Sequence, residues 1–310
     1  MSDTRWRMAH GRYALEMPGS WESPADVRSS LEGVGYLADD KIAQVVFLAT
    51  KLHKPILAEG PAGVGKTALA LALAKATGRR LVRLQCYEGL DESKALYEWD
   101  YHKQLLRLQA DAGAEWDELE GDIFSEAFLL ERPLLTAIRS EEPVVLLIDE
   151  ADRVDFETEA LFLEVLDSHQ VTIPELGTIE AVTLPIVVLT SNNTRELSEA
   201  LKRRCLYLHI PYPTIERELA ILRSRVPDMP EQFAEQIART VASIRQIPTR
   251  KAPSVSETID WARTLLALGV DELSDSVTAS TLNVLLKYQT DIERTAKELS
   301  LELDVEASPE

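Results

Sequence analysis

The sequence predicts an α/β protein: a parallel sheet flanked by helices, followed by a smaller C-terminal domain built of helices alone. Three observations predict it. Short apolar runs alternate with segments of helical periodicity between residues 39 and 210. A glycine-rich loop, Gly60-Pro61-Ala62-Gly63-Val64-Gly65-Lys66-Thr67, stands between a strand-like run and a helix-like stretch. After Pro211 and Pro213 only helical patterns remain, from Ile215 to about Leu299.

Taken in order, the first thirty residues are polar and punctuated by Pro18, Gly19 and Pro24. They read as an irregular arm with Trp6 and Trp21 available to pack on the main body. From Asp39 to His53, Ile42, Val45, Val46, Leu48, Ala49 and Leu52 recur at helical spacing. Residues 55–58 read as a strand, 68–77 as a helix that Gly78 closes, and 80–85 as a second strand. A polar-rich stretch over about 86–112 carries Leu90, Leu96, Trp99, Leu105, Leu106 and Leu108, and reads as a helical insert. Residues 128–138 look helical, 144–148 form the strongest strand, and 157–166 an amphipathic helix. Two short runs flank Pro174-Glu175-Leu176-Gly177-Thr178, which predicts a hairpin over about 170–183. Strands over 185–190 and 206–210 complete the sheet. The chain thus divides into an arm (1–30), an α/β core (31–211), a helical lid (212–300) and an acidic tail (301–310).

Composition narrows the function classes. Of 310 residues, 45% are hydrophobic and 27% charged, ordinary globular usage that excludes wholesale disorder. Runs such as Val144 to Ile148 are too short to span a bilayer, and no apolar h-region follows Met1, so neither stable membrane insertion nor a secretory signal is expected. Two cysteines, Cys86 and Cys205, are too few for a disulfide framework or a zinc site and fit a reducing cytoplasm. They read as buried small hydrophobes. With 33 basic against 52 acidic residues the net charge is −19, which repels nucleic acid and anionic lipid on average. No nucleic-acid partner is expected. A local cradle of backbone N–H groups can still bind an anion against that mean field.

Residues 60–67 satisfy G-x-x-x-x-G-K-[ST]. Glycines let the backbone wrap phosphate oxygens at a helix N-terminus, Lys66 reaches the outer phosphates, and the Thr67 hydroxyl ligates Mg²⁺. ATP and Mg²⁺ are the implied cofactors. The buried strand 144–148 delivers Asp149 and Glu150 to the sheet edge where ligands bind in open α/β folds. Asp149 suits Mg²⁺, and Glu150 suits orienting and deprotonating a water. A second buried strand ends in Thr190-Ser191-Asn192-Asn193, where Asn192 is placed to bond the γ-phosphate or that water. Lys202-Arg203-Arg204 then offers a basic group in an acidic chain, fit to stabilise transition-state charge in a neighbouring subunit.

Together these features resemble the AAA+ ATPases over roughly residues 35 to 300. Within them the chain looks most like the MoxR group, whose helical insert Gln85-Cys86-Tyr87-Glu88-Gly89-Leu90-Asp91-Glu92-Ser93 fits, as does the hairpin. Ala95-Leu96-Tyr97-Glu98-Trp99 and Pro253-Ser254-Val255-Ser256-Glu257-Thr258 resemble the branch linked to carbon monoxide dehydrogenase maturation. That resemblance implies a hexameric, ATP-driven chaperone working with a von Willebrand A-domain protein on a client metalloenzyme, such as a molybdenum hydroxylase. It assigns Gly60, Gly65, Lys66 and Thr67 to phosphate and Mg²⁺, with Ala68 following. Asp149 and Glu150 go to metal and water, and Asn192 to sensing. Tyr36 and Leu37 border the adenine by family position. Glu199-Ala200-Leu201-Lys202-Arg203-Arg204 aligns with the arginine-finger segment, with Arg204 in the finger position and Arg203 replacing the usual acid. Ser254 stands where the family carries a lid arginine. Two other readings compete: a nucleotide-gated binding switch with little turnover, and a DNA-remodelling ATPase of the same superfamily.

Overall fold

The computed structural model describes residues 21–110 and 122–302. They form two compact units. One takes in the described residues up to Glu59 together with Lys66–His209, the other Gly60–Gly65 with the described residues from Ile210 onward.

The first unit is organised by a five-stranded sheet. Its strands are β1 (Ile56–Glu59), β2 (Arg80–Gln85), β5 (Val144–Asp149), β8 (Ile186–Ser191) and β9 (Leu206–His209). They lie in the order β2-β5-β8-β1-β9, and every pairing is parallel. The α/β expectation therefore holds. All six residues of β5 and all six of β8 are buried, which is why both runs read as continuously apolar instead of alternating. Leu146 and Ile148 share the main core with Val82 and Leu84 of the neighbouring β2 and with Leu57 of β1. Each such side chain, removed from water, contributes about 1.5–3 kcal/mol.

Helices cover this sheet. The helix α1 (Pro24–Gly33) begins with a reciprocal capping box, in which Asp26 N–H donates to Ser23 Oγ and Ser23 N–H donates to the Asp26 carboxylate. The expected irregular arm is thus a helix from residue 24. Buried Val27 and Leu31 anchor it, and Trp21 donates from Nε1 to Ser30 Oγ at 2.9 Å. Trp6 and the rest of 1–20 lie outside the described residues. Then come α2 (Asp40–Leu52), capped by Asp39, and α3 (Lys66–Thr77), which Gly78 ends at φ 67°.

The insert departs from its all-helical reading. It holds α4 (Glu92–Ala95), the strand β3 (Tyr97–Trp99) and α5 (Tyr101–Ala110). β3 pairs antiparallel with β4 (Leu129–Glu131), so 128–138 is not one helix. Its first part is the strand, and Pro133 then opens α6 (Pro133–Arg139), because proline suits a first helical turn and not a helix interior. After β5 come a 3-10 turn, Ala151–Arg153, and α7 (Phe156–Asp167). β6 (Gln170–Ile173) and β7 (Gly177–Glu180) pair antiparallel as the predicted hairpin. The helix α8 (Glu199–Arg204) precedes β9.

The second unit carries α9 (Ile215–Arg225), α10 (Glu231–Gln246), α11 (Val255–Ala267), α12 (Asp275–Leu285) and α13 (Gln289–Glu298). Its core joins Phe233, Ile237, Val241, Trp261, Leu265 and Leu282, and Trp261 Nε1 donates to Thr281 Oγ1 at 2.8 Å. Most of the predicted acidic tail, from 303 onward, lies outside the described residues. No helix among the described residues is long and apolar enough to cross a membrane.

Candidate functional site

The chain leaves β1 at Glu59 and enters α3 at Lys66, so the glycine-rich loop is the whole connection between strand and helix. Glycine is required at two places for space. A Cβ on Gly60 would stand 2.1 Å from the Ile210 carbonyl oxygen. On Gly63, where φ is 73°, it would stand 2.4 Å from Ser254 Cβ. Pro61, Ala62, Val64 and Gly65 complete the loop, and Ala68 lies in the first turn of α3.

Four predicted residues are joined directly at the C-terminal ends of the strands. Lys66, only 6% exposed, donates from Nζ to Asn192 Oδ1 at 2.9 Å. Burial pulls its ammonium below the usual lysine value, while Asp152, Asp149, Glu150 and Glu59 favour the charged form. Thr67 Oγ1 donates to Asp149 Oδ1 at 2.9 Å, which puts hydroxyl and carboxylate side by side. Two hard oxygen donors so arranged suit Mg²⁺. Asp149 also receives the Thr190 hydroxyl at 2.6 Å on Oδ1, and the Arg83 guanidinium at 2.5 Å on Oδ2.

Glu150 sits one residue further on in left-handed backbone, φ 58° and ψ 47°, a conformation uncommon for a non-glycine residue. Its N–H donates to Thr190 Oγ1 at 2.8 Å, which fixes the turn. Its side chain stays partly exposed, and Oε2 accepts from Gln85 Nε2 and Arg153 Nη1, each at 3.2 Å. The carboxylate is positioned and solvated, as a group that handles water must be.

These strand-end contacts coincide with a family match. Residues 56–212 match the ATPase family associated with various cellular activities (AAA). The chain belongs to the AAA family. An uncharacterised Staphylococcus aureus protein is 27% identical over 223 residues, covering 70% of this chain and 77% of that protein. The Holliday junction branch migration complex subunit RuvB of Pseudothermotoga lettingae is 23% identical over 305 residues, covering 87% of this chain and 77% of its own length. Among solved structures, a Thermotoga maritima RuvB mutant aligns with 93% of this AAA chain and 88% of its own at 18% identity, with a TM-score of 0.47.

The remaining predicted residues belong to other elements. Tyr36, buried, and Leu37 lie between α1 and α2. Arg204, at the end of α8, donates from Nη1 to the Ala200 carbonyl at 2.9 Å and reaches Asp167 with Nη2 at 3.4 Å. Arg203 is exposed, and no hydrogen bond or ion pair engages it among the described residues. In the second unit Ser254 caps α11, accepting from Glu257 N–H at 3.2 Å while the Glu257 carboxylate accepts from Ser254 N–H at 2.7 Å. The nearby cations are committed: Lys251 pairs with Glu257, and Arg250 stacks on the Tyr288 ring.

Four residues around the carboxylates carry roles the sequence reading did not assign: Arg83, Gln85, Asp152 and Thr190. Arg83 and Gln85 alternate along β2 and therefore share a face, a period-2 signal that was readable. Cys86 is buried and Cys205 half-buried, and desolvation pushes both thiols up to about 12, so neither is a thiolate near neutral pH.

Proposed function

We propose that this AAA protein hydrolyses ATP with Mg²⁺ and uses the turnover as a MoxR-like chaperone that matures a client metalloenzyme. The hydrolysis rests on one observation: Lys66–Asn192 and Thr67–Asp149 are hydrogen-bonded pairs at adjoining strand ends, with Glu150 beside them. Lys66 neutralises phosphate charge, Thr67 and Asp149 hold the metal, and Glu150 orients and deprotonates the attacking water. A Mg²⁺ ion held by Thr67 and Asp149 would supply positive charge to a bound phosphate. Asn192 reports the outer phosphate to the loop after β8.

The chaperone part rests on the sequence resemblance, the β3–β4 insert and the β6–β7 hairpin. In this reading the protein acts as a cytoplasmic homo-hexamer beside a von Willebrand A-domain partner. The test is phosphate release from ATP in Mg²⁺ and in EDTA, for wild type and Lys66→Ala, followed by client maturation with and without the partner. Release that persists in EDTA or in Lys66→Ala removes the hydrolytic assignment. Maturation that needs no ATP removes the chaperone.

A second reading is favoured by the RuvB relative: a DNA-remodelling ATPase. The net charge of −19 opposes it. Turnover stimulated by duplex or junction DNA, with affinity falling steeply as salt rises, would select this reading over the chaperone.

A further inference from the structure

Asp152 belongs to the 3-10 turn after β5 and is 2% exposed. Its Oδ2 accepts three hydrogen bonds, from Asn192 N–H at 3.2 Å, Thr194 N–H at 2.9 Å and Thr194 Oγ1 at 2.7 Å. All three donors lie in the loop after β8, where Asn193 takes a left-handed φ of 57°. One carboxylate oxygen on one strand-end loop thus fixes the backbone of the other. Its second oxygen, Oδ1, is buried with no hydrogen-bond partner.

That arrangement is costly for a turn that only has to end a strand. A buried carboxylate with one oxygen unpaired is less favourable than a neutral residue of similar volume. Burial alone would raise its pKa, yet the bonds from Thr194 and Asn192 hold it below the usual aspartate value, so it is charged. The loop it clamps bears Asn192, the side chain that meets Lys66.

We propose that Asp152 is a positioning residue for Asn192: by clamping the backbone from Asn192 to Thr194 it holds the Asn192 side chain at the phosphate-binding lysine. The inference rests on the ATPase reading above. Loss of the clamp leaves Lys66 and Thr67 in place, so nucleotide binding survives while the chemical step loses its alignment. Misplacement by about 1 Å is enough for roughly a 100-fold loss.

The test uses the full chain, with kcat and KM for ATP, and the Kd of a fluorescent ATP analogue, for Asp152→Ala, Asp152→Asn, Thr194→Val, Asn192→Ala and the double variant Asp152→Ala/Asn192→Ala. Asp152→Ala is expected to lose roughly 100-fold in kcat while analogue Kd stays within about threefold. Asp152→Asn keeps an oxygen that accepts the same donors and should recover most of the loss. Thr194→Val, which removes one donor of three, should lose about threefold to tenfold. The double variant should be no slower than Asn192→Ala alone, because both changes remove one function.

Multiplying losses in the double variant would overturn the inference. So would an Asp152→Asn variant as slow as Asp152→Ala, since that would make charge beside Lys66 the requirement. Should Asp152→Ala fail to fold, Asp152→Asn and Thr194→Val decide: recovery by the first with a kcat-only loss in the second supports the clamp, and any other pairing refutes it. Turnover in wild type with full activity in Asp152→Ala sinks this inference alone. Absence of turnover in wild type sinks the ATPase reading and takes the inference with it.

Discussion

The loops after β5 and β8 end adjacent parallel strands and carry Glu150 and Asn192, yet they are secured in opposite ways. Asn192 belongs to a loop whose backbone is bonded to a buried carboxylate on the other loop. Glu150 has its backbone fixed by Thr190, but among the described residues its carboxylate is held by Gln85 and by Arg153, whose side chain is 54% exposed. Buried bonds between neutral donors and a charge resist exchange with water, and exposed ones contribute little. The Asn192 backbone is therefore held by buried bonds, and the Glu150 carboxylate by weaker, partly exposed ones on a fixed backbone.

The most severe way to probe that difference is to keep Glu150's shape and remove its basicity. Glu150→Gln should retain ATP binding and lose on the order of 10³-fold in kcat, because general-base work contributes about 10²–10⁴. Equal turnover in wild type and Glu150→Gln would move the base elsewhere and dissolve the comparison. Phosphate release and equilibrium binding of an ATP analogue are the two measurements.

A next, comparably large effect concerns the arginines that follow the β8 loop. Arg204 is engaged within its own unit by Ala200 and Asp167, while Arg203 is exposed. If one of them completes a neighbour's site, its alanine variant should bind ATP yet lose roughly 10³-fold or more in turnover. Mixed before ring assembly, Arg204→Ala and Glu150→Gln should restore function at about a quarter of sites if the sites fire independently. Repeating the mixture with Arg203→Ala identifies the finger, since only the true one complements. Confirmed mixed rings with no recovery from either arginine would remove the shared-site idea.

How much of this was legible follows from the distance over which each feature acts. The loop 60–67 and the pair Asp149-Glu150 are local patterns attached to buried runs, so spacing alone reveals them. The all-helical pattern after residue 213 and the hairpin are equally local. By contrast, Asp152 acts on residues 40 to 42 positions away, and Arg83 on one 66 positions away. No window holds both partners. Two misread elements did carry local signals: Ser23-Pro24 with Asp26 is a helix start, and Pro133 divides what looked like one helix. The strand β3 is different in kind, since its three residues form a strand only by pairing with β4 across 29 or more intervening positions.

The smallest predicted effect is also the one that sharpens the comparison most. Gln85 Nε2 donates to Glu150 Oε2 at 3.2 Å from the edge strand β2, and must compete with water for that oxygen. A partly exposed hydrogen bond of this kind is worth about 0.5–1.5 kcal/mol, and 1.4 kcal/mol is a factor of ten. If the bond holds the base away from the attacking water, Gln85→Ala should raise basal kcat by about twofold to tenfold with KM for ATP unchanged. Arg153 makes the other contact to Oε2 at 3.2 Å and tethers the carboxylate as Gln85 does. Arg153→Ala should therefore act in the same direction and by no more than Gln85→Ala, because exposed ion pairs contribute about 0–1 kcal/mol. Steady-state kinetics on the two single variants and their double separates the cases. A fall in kcat in either would mean that Glu150 is held in its working position, and the base would then be as fixed as Asn192.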